Sequence, residues 1–224
     1  MQTRFAAMIQ VVLILSIASP AGAQTTAATF SLPQTPYSCG CADGTDAFEF
    51  VPSADILVTA LGWYDHGGDG LILDHPVAIY DAATEVALTP PTTVTTAATF
   101  DAATGFRWVT LASPVRLVRG HSYVIAGHAA GNPAYDEYVN DPVGGVSFGP
   151  EISFVRYRYE LGPALAFPSS LGTTGAADQV FFGPNFQYAL PPTVPALSSA
   201  GLVLMSLGMI LAALLAIPVI QRSF

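Results

Sequence analysis

The chain has 224 residues, of which 51% are hydrophobic and only 10% charged, with a net charge of −9 and no lysine. All 16 acidic residues and five of the seven arginines lie between Asp43 and Asp178. Such a balance repels phosphate backbones and argues against nucleic-acid binding, while it suits an exported, soluble surface and attracts cations.

Residues 1–23 have the parts of a secretory signal. Arg4 is the positive start, an apolar run extends from Phe5 to Ala18, Pro20 stops it, and Ala21-Gly22-Ala23 offers small residues for cleavage. Residues 24–46 read as a linker containing Cys39-Gly40-Cys41. In the oxidising compartment that a signal peptide implies, Cys39 and Cys41 are disulfide candidates, although a bridge across one residue closes a tense and very small loop. An intermolecular bridge or two free thiols are the alternatives.

Residues 47–190 read as one domain of short strands separated by Gly, Pro and Asn. The expected strands are Phe48–Val51, Ile56–Tyr64, Val77–Tyr80, Glu85–Leu88, Phe106–Leu111, Ser122–Ala129, Ile152–Glu160 and Val180–Tyr188. Strict alternation in Ile152–Glu160 puts Ile152, Phe154, Arg156, Arg158 and Glu160 on one face and Ser153, Val155, Tyr157 and Tyr159 on the other, mixed faces that fit a strand near the sheet's edge or rim. Eight strands without a helical period predict a mainly β fold: a single antiparallel β-sandwich of jelly-roll or Greek-key type.

Within this domain, Asp65, Asp69 and Asp74 lie in a Gly-rich loop and are the calcium candidates, because Ca²⁺ takes several oxygens from a flexible loop. The spacing is not that of an EF-hand, and an Asp-capped turn explains the same residues. Trp63, Tyr135 and Tyr138 are candidates for a glycan platform, aromatic faces being suited to pyranose rings; β-core packing is the competing explanation. The four histidines have no zinc-type spacing, and no Gly-x-Ser-x-Gly elbow occurs. Carboxylates are plentiful but unpositioned, so no catalytic residue is assigned and no cofactor is required, with Ca²⁺ the one candidate ion.

Residues 191–199 form a Pro-rich spacer. Ala200 to Ile220 is almost wholly apolar and, at 1.5 Å rise per residue, long enough to cross a hydrocarbon core of about 30 Å. Residues 221–224 follow, and Arg222 places this tail in the cytoplasm by the positive-inside rule.

The run Val194-Pro195-Ala196-Leu197-Ser198-Ser199-Ala200-Gly201, then the apolar span, then Arg222, resembles the IPTL-CTERM sorting tail of Gram-negative bacteria. Val194, Pro195, Leu197, Ser198 and Gly201 would carry the motif, Val194 standing for the usual Ile. The resemblance implies surface sorting by dedicated machinery. The order of motifs between Ala47 and Tyr188, from Gly62-Trp63-Tyr64-Asp65 through His75-Pro76-Val77 and Arg119-Gly120-His121 to Phe182-Gly183-Pro184-Asn185, resembles an uncharacterised family of exported bacterial β domains. That family brings an extracellular setting and no site residues. The expected function is an exported, membrane-anchored or surface-sorted envelope protein, structural or adhesive, with polysaccharide as partner. An envelope polysaccharide hydrolase and a calcium-stabilised adhesion module are the alternatives.

Overall fold

The computed structural model describes residues 23–35, 43–130, 136, 138–140, 142–174 and 181–192. The signal segment 1–22, Cys39, Cys41, Tyr135, the sorting motif and the apolar span lie outside these residues. Described residues up to Pro191 belong to one compact unit, and Pro192 begins a second. No helix among the described residues is long and apolar enough to cross a membrane.

The unit is mainly β, and all strand pairs are antiparallel. Its strands are β1 (Thr25–Thr26), β2 (Ala28–Phe30), β3 (Gly44–Pro52), β4 (Ile56–Tyr64), β5 (His75–Asp81), β6 (Thr92–Val94), β7 (Thr99–Asp101), β8 (Phe106–Leu117), β9 (Tyr123–Ala129), β10 (Val139–Asn140), β11 (Val146–Phe148), β12 (Ile152–Leu161), β13 (Ser170–Thr174), β14 (Phe181–Phe182) and β15 (Pro184–Ala189). One sheet has the order β1-β15-β4-β8-β7 and the other β13-β12-β3-β9-β5-β6; β10 pairs β14, and β11 pairs β2. The pairing is nested, with β3 beside β9 in one sheet and β4 beside β8 in the other.

The two large sheets share a core in sandwich fashion. Phe50 of β3 meets Phe186 of β15 at 4.8 Å between ring centroids, and Ile56, Val58, Leu61, Val77, Ile79 and Ile125 are fully buried around them. Two bulges set which side chains reach this core. Both neighbours of β4 skip Thr59, so the inward residues change from Ile56 and Val58 to Leu61 and Trp63. In β12 the partners of β3 skip Val155, so Ile152 and Phe154 face the core before it and Tyr157 after it.

The second bulge corrects the strict alternation expected for Ile152–Glu160. Arg156 and Arg158 do not share a face with Phe154; they oppose Glu49 and Ala47 on the outer face. β12 lies one strand in from the edge, with β13 paired beyond it.

Three further boundaries differ from expectation. Thr25–Phe30, expected as linker, forms β1 and β2. The amide of buried Asn185 donates to the carbonyl of Ala28 at 2.7 Å and its Oδ1 accepts from the Ala28 N–H at 3.2 Å, pinning this segment to β15. Glu85–Leu88 is not a strand. Asp81 Oδ1 accepts the N–H groups of Ala83 and Thr84, the chain turns, and Glu85 takes φ of 61°, leaving one bridge between Tyr80 and Ala87. β8 continues six residues past Leu111, to Leu117, through an irregular stretch containing Pro114, which cannot donate to a ladder.

Candidate functional site

Strand β4 ends on two adjacent aromatic residues with opposite destinations. Trp63 pairs with Arg107 and Pro184 on the inner face, whereas Tyr64 pairs with Phe106 on the other. Past Tyr64 the chain makes a single 3₁₀ turn at His66–Gly68 and wanders to His75, where β5 begins. The Asp65–Asp74 loop is therefore anchored at both ends by core strands, and two clefts flank it.

The first cleft, of about 370 Å³, lies between the loop and the segments around Leu32 and Phe100, with Tyr64, His66, Gln34 and Gly105 also on its walls. Its surface is mainly apolar. Gln34 holds the Leu32 segment in place: its Oε1 accepts the Val143 N–H at 2.8 Å and its amide donates to the carbonyls of Ser31 and Val143. Phe100 is placed by Gly68, whose φ is 72° and whose Cβ, were there one, would stand 2.4 Å from the Phe100 ring. The second cleft, of about 250 Å³, is more polar and is lined by Tyr64, His66, Asp69, Ile72 and Asp136. Tyr64 and His66 line both, and the Tyr64 hydroxyl lies 3.2 Å from His66 Nδ1. A cavity of several hundred Å³ with a few polar groups is the usual form of a small-ligand site, and the first cleft falls within that range.

Two buried side-chain contacts hold the loop. Asp65, 2% exposed, accepts from Arg107 Nε at 2.6 Å. Arg107 Nη1 also donates to the carbonyls of Thr96 and Ala98 at 2.8 Å, and its guanidinium covers the Phe100 ring at 5.5 Å. On the other side Asp136 accepts the N–H groups of Ile72 at 2.6 Å and Leu73 at 2.9 Å, and faces His75 Nε2 at 2.8 Å. His75 Nδ1 lies 3.0 Å from the carbonyl of His128. Both ring nitrogens thus face oxygen atoms of buried partners. Burial pushes the Asp136 carboxyl upward, but the His75 bond and the two amides outweigh it and hold the group below its usual range.

These contacts place the residues expected from sequence. Asp65 is turned to Arg107, while Asp69 and Asp74 are exposed on the loop. No group of three or more His, Cys, Asp or Glu side chains gathers to hold a metal among the described residues. The glycan platform needs correction. Trp63 is fully buried and stacks on His75, and Tyr138 is 7% exposed, so neither offers an open face to a sugar. The bulk of these rings is used in packing, as their β-strand setting favours. Tyr135 lies outside the described residues.

Sequence reasoning did not single out Tyr64, His66, Phe100 and Arg107 as a group. His66 and Phe100 are far apart in the chain, and only the anchored loop brings them to one cleft. No protein-family model matches the chain, and no curated protein matches it either.

Proposed function

We propose that this chain is an exported envelope protein, held in the membrane or sorted to the surface by its C-terminal tail, whose β unit binds polysaccharide outside the cytoplasm without catalysis. The signal-like residues 1–23, the uncharged apolar span Ala200–Ile220 and the tail motif Val194, Pro195, Leu197, Ser198 and Gly201 support the address. The nested pairing of β3 with β9 and β4 with β8 supports a sandwich of jelly-roll or Greek-key type. In this reading the secretion and sorting machinery and a polysaccharide are the partners.

The observation that carries the binding reading is the first cleft, where the rings of Tyr64, His66 and Phe100 border an apolar space beside hydrogen-bonding groups. That combination suits a sugar ring, whose faces are apolar and whose rim carries hydroxyls. The hydrolase alternative would need two available carboxylates facing each other across a cleft. Asp69 and Asp136 line the second cleft, but Asp136 is saturated by His75 and two backbone amides and its proton affinity is lowered, which makes it a poor general acid. Asp65 is likewise committed to Arg107. Binding without cleavage is the better reading.

The address is tested by protease protection on intact and permeabilised cells producing the full chain. Digestion of the β unit with the inner membrane intact is expected; complete protection until that membrane is broken would overturn the reading.

A further inference from the structure

The outer face of the six-stranded sheet carries a basic pair that the loop clefts do not use. The bulge at Val155 turns Arg156 and Arg158 of β12 outward, opposite Glu49 and Ala47 of β3. Glu49, 8% exposed, serves both: Arg158 Nε donates to its Oε2 at 2.9 Å, and Arg156 Nε lies 3.5 Å from the same oxygen. Ser122 Oγ donates to Oε1 at 2.6 Å, so both oxygens of Glu49 are engaged. Arg158 is held further, since its Nη1 also donates to the Pro168 carbonyl at 3.3 Å and its guanidinium covers the Phe167 ring at 5.4 Å.

Arg156 is held less. Its Nε is shielded from water and donates no hydrogen bond among the described residues, where its one ionic contact is the long one to Glu49. Its side chain nevertheless keeps 29% of its surface open. Among the described residues it is the one guanidinium that combines a shielded nitrogen with no hydrogen bond. The shielded Nε faces Glu49 and is out of a ligand's reach, so a ligand would meet the open part of the guanidinium, which makes no hydrogen bond among the described residues. The local charge agrees, because one carboxylate shared by two guanidinium groups leaves a positive charge over. The next carboxylate along the strand, Glu160, is about 13 Å away at 3.3 Å per residue and is engaged by Ser169.

We propose that Arg156 binds the carboxylate of an acidic polysaccharide, a uronic-acid unit, on this face. A guanidinium fork matches the two in-plane oxygens of a carboxylate. The choice of a glycan as the bearer of the carboxylate rests on the envelope reading above; the geometry at Arg156 does not depend on the loop clefts. With the rest of the chain acidic, the attraction is local and screened by salt within about 8 Å at physiological ionic strength.

The test measures binding of the purified full-length chain to oligogalacturonate, to neutral dextran oligomers and to sulfated dextran, with melting temperatures as the fold control. Oligogalacturonate is expected to bind, and Arg156→Gln to weaken it by about tenfold or more. Glu49→Gln keeps one carbonyl oxygen to accept from Arg158, with its amide donating to Ser122 Oγ, and removes the competing charge, so it is expected to tighten binding by about threefold or more. A folded Arg156→Gln protein that binds oligogalacturonate as the wild type does, no binding by the wild type, or equal binding of sulfated dextran would overturn the proposal. Neutral-glycan binding that is lost in His66→Ala but unaffected by Arg156→Gln, without oligogalacturonate binding, would sink this inference and leave the cleft reading standing.

Discussion

The indole of Trp63 and the imidazole of His75 stack face to face, 4.0 Å between centroids and 3° from parallel. One comes from the five-stranded sheet and the other from the six-stranded sheet, so the pair ties the two layers at the base of the Asp65–Asp74 loop. The indole fits because Gly127 and Gly183 have no side chain: a Cβ on either would stand 2.6 Å from the ring.

This packing predicts that Trp63 is a stability residue and not a ligand platform. Trp63→Ala should lower the unfolding free energy by about 3–5 kcal/mol. Trp63→Phe, which keeps a ring against His75, should cost less and leave glycan affinity unchanged while the protein is folded. Urea titration and a binding isotherm on the same samples check both; loss of affinity in a folded Trp63→Phe protein would contradict the assignment.

Arg107 holds the other side of the loop. Arg107→Leu leaves the Asp65 carboxylate buried with only the distant Gly70 N–H at 3.4 Å, and should cost about 3–5 kcal/mol. Asp65→Asn combined with Arg107→Leu removes the unpaired charge and should cost less than the sum of the single changes. Additive losses in chemical denaturation would show that the pair is not coupled.

Two aspartates predict opposite pH dependences. Asp136 is held low, so its contribution is present above the ordinary carboxylate pKa of about 3.9 and is lost as the pH falls through its folded value. Asp46 is pushed up by burial, against the Tyr157 hydroxyl that donates to it at 2.6 Å and the nearby His128. Its contribution is therefore greatest below about 3.9 and is lost as the pH rises through its folded value. Asp46→Asn keeps an acceptor for Tyr157 and should be more stable than the wild type at pH 7 but not at pH 3.5. Asp136→Asn should be less stable at pH 7, with the gap closing only in acid. Denaturation curves at the two pH values read both signs.

Chelation tests the loop aspartates. With Asp65 committed to Arg107, EDTA is expected to leave the melting temperature unchanged. Stabilisation by a bound ion follows its free concentration, so a fall of more than about 2 °C on chelation, reversed by Ca²⁺, would show a calcium site.

The β class and the limits of β4 were legible because long apolar runs bounded by Gly and Asp leave little choice of strand. The faces of β4 and β12 were not, because a bulge at Thr59 or Val155 shifts alternation by one residue and leaves no mark in composition. The shortest strands also escaped, since β1 and β2 are held by Asn185 and by pairing with distant partners and not by their own pattern. The loop was legible as a loop, and Asp65 as a residue of interest. Its ties to Arg107, 42 residues on, and the contact of His75 with Asp136, 61 residues on, depend on which loops the sheets bring together.

The most direct test of the account is a glycan-array screen of the purified full-length chain, alongside His66→Ala and Phe100→Ala. Binding to a defined class of neutral sugar, lost in both variants at unchanged melting temperature, is the predicted result. An array with no bound neutral glycan, or neutral-glycan binding indifferent to both substitutions, would contradict a polysaccharide-binding site at this loop.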